Sequence, residues 1–398
     1  MASIKENTNA ETTVDLPQIH DYRHLFLNDI PLIDVRAPVE FNQGAFPLAR
    51  NLPLINDEER QAIGIRYKEL GQDKAIELGH ELVCGMVKEQ RVDDWEDFVT
   101  RHPEGALYCF RGGMRSKISQ QWLYDKTGVM YPRVSGGYKA LRRFLINELE
   151  TAVHALQPIV LGGQTGVGKT LLLNQLQNKI DLENIYRHRG SAFGRHVYGQ
   201  PSQIDIENQL AISLLKLSSQ GITQVVLEDE AAAIGSRRLP DNLISTMRQS
   251  PLVLLEAGVE ERVNIIYREY IIEALSEHQQ LLGVEAGFDI WASYLLNALD
   301  KIQRRLGGLL HKEIKSIMRY AIDRHRDAAE PEYHKDWIRT LLLGYYDPMY
   351  DYQLAKKSDR VIFQGNHESV IGFLSEQYGL HQAPRHSDIK QTKNTGQY

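Results

Sequence analysis

The sequence predicts an α/β protein of two successive units, closed by a helical C-terminal annex. Three observations carry this expectation. The chain of 398 residues is too long for one ordinary core. Short apolar runs alternate with amphipathic stretches of helical period in both halves, the pattern of sheets covered by helices. A glycine-bearing turn closes such a run twice, in residues 109–116 and again in residues 163–170.

The elements follow in order. "PLIDVR" (31–36) reads as a short buried strand, and "EFNQGAFPLARNLPL" supplies turn residues before the next apolar stop. Residues 57–90 mix charged and apolar positions at a period near 3.6, so they are expected to be helical. "DDWEDFVTRH" is a further helix, which Pro103 and Gly105 end. "ALYCF" is the next strand, and "RSKISQQWLYDKTG" is a helix with Ile118, Trp122 and Leu123 inward and Gly128 as its stop. "NELETAVHALQP" connects to the second unit, where "IVLGG" leads through a loop into a leucine-rich helix. Strands "QVVLEDE" (224–230) and "PLVLLEA" (251–257), a helix from Glu260 to Glu273, and a late strand "DRVIFQG" complete that unit, with a last helix over 367–378. The predicted organisation is a first domain at 15–140, a connecting helix at 141–158, a second domain at 159–380 and a disordered polar tail at 381–398.

Composition excludes some classes of function. No apolar stretch approaches the ~20 residues of a membrane span, and "MASIKENTNAETTVD" lacks the apolar centre of a secretory signal. A cytoplasmic protein without membrane partners is expected. Two cysteines, Cys84 and Cys109, make neither a disulfide scaffold nor a four-cysteine zinc site. The net charge of −6 argues against a generally nucleic-acid-binding surface, but residues 301–326 carry eight Lys/Arg against Glu313 and Asp323. Lys312, Lys315, Arg319 and Arg326 fall at helical spacing on one face, which suits either a solvated helix or a polyanion such as RNA.

"YCFRGGMRS" places Cys109 between a strand end and a helix N-terminus. Unpaired N–H groups and the positive end of the helix dipole favour a thiolate there. Gly112 and Gly113 let the loop curl into an anion nest that includes Ser116, and Arg111 and Arg115 add positive charge. The spacing from Cys109 to Arg115 also matches the loop of cysteine-dependent phosphatases. Cys84, in "GHELVCGMV", sits at an apolar helical position and is expected to pack.

The second loop is Gly163-x4-Gly168-Lys169-Thr170, with Gly166 inside it, between a strand and a helix. This is the phosphate-binding P-loop in its proper context: backbone N–H groups cradle phosphates, Lys169 reaches the terminal ones and Thr170 is placed for Mg²⁺. Glu228 or Asp229, at a later strand end, is the expected metal-facing acid. "YRHRGSAFGRHVYGQPSQ" (186–203) reads either as a surface loop or as a flap over the P-loop, with Arg189 and Ser191 at phosphate and Phe193 available for stacking on a base.

"PLIDVRAPVEFNQGAFPLARNLPL" with "YCFRGGMRS" resembles the rhodanese fold. Together with "NDEERQAIGIRYKELG", "VSGGYKALR", "GGQTGVGKT", "HRGSAFG" and "LEDE" in this order, the chain resembles the tRNA 2-selenouridine synthases over roughly residues 15–380. Phe110 departs from that pattern, where the family has tryptophan after the cysteine. The resemblance implies a rhodanese-like domain fused to a P-loop domain. It implies a transferase that S-geranylates the wobble 2-thiouridine of tRNA with geranyl diphosphate and then replaces the geranylthio group by selenium from selenophosphate. Cys109 would carry selenium as a selenosulfide, with Arg111, Arg115 and the loop amides on the selenophosphate oxyanion. The P-loop would bind the diphosphate of the geranyl donor, and the enzyme that makes selenophosphate is an implied partner. A P-loop kinase with an accessory first domain, and a cysteine phosphatase, remain the alternatives.

Overall fold

The computed structural model describes residues 15–380. The N-terminal 14 residues and the 381–398 segment expected to be a disordered tail lie outside the described residues. The chain divides into two compact units between Asn147 and Glu148, inside one continuous helix, Gly137–Ala155, rather than at a linker.

The first unit is built on five short strands: β1 (Gln18–Ile19), β2 (Leu32–Asp34), β3 (Ala49–Asn51), β4 (Ala106–Tyr108) and β5 (Arg133–Val134). All neighbours run parallel, in the order β1-β5-β4-β2-β3. The central strands β2 and β4 are buried at every position, which explains why they read as unbroken apolar runs. A buried ion pair ends β2. Arg36 Nη2 lies 2.6 Å from Asp34 Oδ2 and 2.9 Å from the Gly44 carbonyl oxygen, its guanidinium stacks 3.8 Å from the Tyr138 ring, and both charged residues are almost wholly enclosed.

The expected helix over 57–90 is two elements. Asn56 and Glu59 form a capping box that starts a helix at Asp57 and runs it to Leu82. Gly71, at φ +80°, breaks this helix in the middle. A β-carbon on Gly79 would sit 3.6 Å from Ile63 Cδ1, so the two halves fold back side by side. Cys84 then stands exposed just before the helix Gly85–Arg101, with its thiol on the Glu81 carbonyl at 3.1 Å. The packing role expected for it is wrong, because the helix it was assigned to ends before it.

The second unit carries β6 (Gln157–Gly162), β7 (Lys179–Ile180), β8 (Gln224–Glu228), the small hairpin β9 (Ala233–Ile234) and β10 (Arg237–Arg238), β11 (Leu252–Leu255) and β12 (Val361–Gly365). The five-stranded sheet is parallel in the order β12-β11-β6-β8-β7, so the late strand completes it at one edge as predicted. The leucine-rich helix after the P-loop is shorter than expected, Lys169–Leu173. Helices Val284–Leu306, Gly308–Ala328 and His334–Leu341 enclose an apolar cluster that includes Trp291, Met318 and Trp337. Among the described residues, no helix is long and apolar enough to cross a membrane.

Removing one member of a buried pair strands the other charge. Arg36→Leu is therefore expected to lower stability by about 3–5 kcal/mol, read as an earlier urea midpoint for the first unit, whereas replacing Asp34 and Arg36 together by apolar residues recovers much of the loss.

Candidate active site

Both predicted loops sit at the carboxyl end of a central strand, the position where open α/β sheets bind ligands. Cys109 follows β4 and is 3% exposed. Its thiol donates to Ser116 Oγ at 3.2 Å, and the Ser116 hydroxyl donates to the Gly113 carbonyl at 3.0 Å. Gly113 caps the helix Met114–Thr127 with no side-chain hydrogen bond, so Ser116 is the polar side chain that ties that first turn to the sulfur.

The loop is fixed from its other side by the start of the helix Gly137–Ala155. The Tyr138 and Lys139 amides donate to the Cys109 and Phe110 carbonyls at 2.9 and 3.0 Å. Gly137, at φ +59°, permits this, since a β-carbon there would lie 2.2 Å from the Cys109 carbonyl oxygen. Gly112, at φ +64°, is equally constrained, 2.7 Å from the Gly136 amide nitrogen by the same measure. Phe110 stacks on Tyr138 at 6.0 Å between centroids, and exposed Arg111 lies over the Phe110 ring.

Arg115 is not a free guanidinium. It is held by Glu40, with Nη1 2.6 Å from Oε2 and Nη2 3.1 Å from Oε1, and Arg60 approaches the same carboxylate at 3.2 Å. Burial opposes the Glu40 charge, yet Arg115, the Ala37 amide and Arg60 hold its carboxyl below the usual value. Burial likewise opposes the Arg115 charge, and Glu40 and then Cys109 raise it. Sequence reasoning missed Arg133, whose Nη1 donates to the Gly112 carbonyl at 3.1 Å. Burial lowers its pKa while the nearby Cys109 sulfur works the other way. Two guanidiniums, Arg115 and Arg133, thus lie within electrostatic reach of Cys109.

In the second unit Gly163, Gly166 and Gly168 all take positive φ, as the turn requires. Lys169 Nζ donates back to the Gly163 carbonyl at 3.2 Å. The loop is braced by Arg262, unforeseen in the sequence, which donates to the Thr165 carbonyl at 2.9 Å and Gln164 Oε1 at 2.8 Å while paired with Asp347. Thr170 Oγ1 lies 3.1 Å from both Glu183 Oε2 and Glu228 Oε1. Glu228 is thus the acid bonded to the P-loop threonine. Asp229 lines the same cavity, where Lys357 holds it at 2.6 Å.

The "HRGSAFG" segment lines the same cavity of about 350 Å³ as the P-loop, through Arg189 and Ser191, together with Arg305 and Lys357. Arg189 reaches Glu277 at 3.6 Å and Ser191 Oγ meets Tyr270 Oη at 3.1 Å, so the segment is anchored in place. Phe193 is not available to a base: it is 4% exposed and packs against Trp337. On the basic helix Gly308–Ala328, Lys312 and Arg319 are exposed, but Lys315 is paired with Asp300 and Arg326 with Asp289. The face is less positive than its sequence, since the preceding helix supplies both acids.

Comparison with known proteins covers both units. Residues 156–380 match the family model described as the tRNA 2-selenouridine synthase AAA domain. Three relatives, each named tRNA 2-selenouridine synthase, are 52% identical in Pseudomonas fluorescens (90% of this chain, 97% of the relative), 51% in Marinobacter nauticus (89% and 96%) and 50% in Bordetella petrii (90% and 96%).

The acids around Lys169 set a pH dependence. Burial, then the Glu183 charge, pushes Glu230 up to about 7, and the same two causes drive Glu228 well above the usual range. Burial opposes the Lys169 charge, but Tyr350, Glu183 and Glu230 hold its pKa above the ordinary value. A carboxyl whose folded pKa is raised contributes full stability below its ordinary value and loses it as pH rises through the folded one. Glu230→Gln is therefore expected to raise Tm by about 3 °C at pH 8 and to leave it unchanged near pH 4.5; scanning fluorimetry at the two pH values checks it.

Proposed function

The chain belongs to the tRNA 2-selenouridine synthase family, and from that premise we propose how its two loops share the conversion of wobble 2-thiouridine in tRNA to 2-selenouridine. The protein is an enzyme that modifies tRNA, and its P-loop unit is the domain characteristic of the family. The first unit, with its parallel sheet and its cysteine loop after β4, is read as rhodanese-like, and the helices after β11 as an annex to the P-loop domain.

The observation that carries the reading is the setting of Cys109: an enclosed thiol bonded to Ser116, at a central strand end, with Arg115 and Arg133 in reach. Cys109 is the nucleophile that handles selenium from selenophosphate. Arg133 supplies the positive charge that Arg115 partly spends on Glu40, and exposed Arg111 meets the incoming anion. In the second unit, Gly163 to Thr170 bind the diphosphate of geranyl diphosphate, with Lys169 on the terminal phosphate and Arg189, Arg305 and Lys357 around the cavity. Tyr345, Met349 and Tyr350 line that cavity and offer its hydrocarbon an apolar wall. Thr170, Glu183 and Glu228 form an all-oxygen set that suits Mg²⁺, which would offset the charge of the diphosphate beside these acids.

Three displacements complete the conversion. The geranyl C1–O bond breaks as a C1–S bond forms on the 2-thio group, and diphosphate leaves with the electron pair. The Cys109 thiolate attacks the phosphorus of selenophosphate, the P–Se bond breaks with its electron pair leaving on selenide, and water later hydrolyses the S-phosphocysteine to free thiol and phosphate. Selenide adds to C2 of the base, and geranylthiolate, a far better leaving group than unalkylated sulfide, departs. Lys312 and Arg319, exposed on the basic helix, would contact tRNA phosphates, so affinity falls with added salt.

Nucleoside mass spectrometry of tRNA treated with purified enzyme tests the division of labour. Cys109→Ser is expected to abolish 2-selenouridine while geranylated 2-thiouridine accumulates. Lys169→Ala is expected to cut geranylation about 100-fold or more, the scale of a lost charge-stabilising group. Selenation retained by Cys109→Ser would contradict the assignment.

A further inference from the structure

The first unit contains a cavity of about 730 Å³ beside the Cys109 loop, which borders it at Met114 and Arg115, and its size is well inside the ~300–1,000 Å³ typical of small-molecule sites. It lies between the two folded-back halves of the helix Asp57–Leu82 and the helix that leaves the Cys109 loop. Leu54, Ile63, Ile76, Val83, Ile118 and Trp122 are among its walls. Val83 belongs to the buried apolar cluster that contains Cys109, and Ile63, Ile118 and Trp122 pack against that cluster, so the cavity and the sulfur share one hydrophobic body. Its polar end is the Arg60–Glu40–Arg115 cluster, at the start of the Cys109-loop helix.

Two glycines keep the cavity open. Gly64 and Gly79 line it from within helical segments, where glycine is unfavourable relative to alanine. Neither takes a positive φ. A β-carbon at Gly64 would meet nothing within 4 Å, and one at Gly79 would make only an ordinary contact with Ile63. Neither backbone nor packing requires glycine at these positions; what the missing side chains leave is room. The exposed Tyr67 and half-buried Ile76 beside them give that room apolar flanks.

We propose that this cavity holds the acyclic hydrocarbon chain carried on the sulfur of the S-alkylated tRNA base, and so presents C2 of that base to the Cys109 loop. The inference rests on the reading of the function given above and adds to it a second hydrocarbon site, separate from the donor's. An uncharged, flexible chain of about ten carbons suits an apolar space of this size. The arginines at the polar end suit the RNA phosphates that flank the base.

Full-length protein with Gly64→Leu, and separately with Gly79→Leu, tests it. Leucine favours helix at both positions, so each variant is expected to fold with an unchanged or higher Tm. Binding of an anticodon stem-loop carrying S-geranyl-2-thiouridine should weaken about tenfold, the loss of roughly two buried methylenes. Binding of the same RNA carrying S-methyl-2-thiouridine should not change, and selenation of the geranylated RNA should fall while geranylation of 2-thiouridine persists. Wild-type affinity for the geranylated RNA in both folded variants would overturn the proposal. So would equal losses for the two RNAs, or a loss seen with geranyl diphosphate instead. Failure of the functional reading has its own signature: wild-type protein that binds the geranylated RNA but neither forms it nor converts it.

Discussion

The Cys109 loop is held by two carbonyls. Cys109 and Phe110 turn theirs onto the amides of Tyr138 and Lys139, at the N-terminus of a helix that would otherwise leave those donors unpaired. This contact fixes the strand end and the following turn as one body, and it needs Gly137 and Gly112 because side chains there would collide with backbone. Everything near the sulfur inherits its place from that contact. Ser116 meets the thiol, Arg133 meets the Gly112 carbonyl, and Phe110 lies on Tyr138, whose ring also covers the buried Arg36. The Asp34–Arg36 pair is therefore more than a strand terminus: it supports the aromatic that supports the loop.

The two loops solve the problem of an anion differently. Around Cys109 the positive groups are few, and one of them, Arg115, is shared with a carboxylate. Around Lys169 the acids outnumber the cations at close range, and burial raises the pKa of several of them, that of Glu230 to about 7. A phosphate group entering that cavity meets Lys169, Arg189, Arg305 and Lys357, but it also needs the carboxylates neutralised by protons or by a divalent cation. The two phosphorylated donors proposed above would be served by two sites with unlike charge balance.

Much of this was legible in the sequence where chemistry is local. The strand, glycine turn and helix around Cys109, and the spacing of Gly163, Gly168, Lys169 and Thr170, are contiguous patterns, and both loops stand where those patterns place them. What escaped depends on partners far along the chain. Glu40 takes Arg115 from 75 residues away, Lys357 takes Asp229 from 128, and Arg262 braces the P-loop from 97. No periodicity reports such pairings. Phe193 read as an exposed stacking residue because its neighbours are arginines, histidines and glycines, yet it faces Trp337, which the local sequence does not reveal. Gly71 was the one visible sign that the long helix folds back, and a lone glycine in a helical pattern is a weak signal.

The proposed chemistry stands on the Cys109 sulfur as the group that frees selenium for RNA. Timed treatment of the native enzyme with iodoacetamide, followed by peptide mapping and assay of 2-selenouridine formation, measures this directly. Exposed Cys84 and enclosed Cys109 should be modified at different rates, and activity should fall in step with Cys109 alone, with the same course in a Cys84→Ser protein. Full turnover from enzyme whose Cys109 is quantitatively alkylated would contradict it.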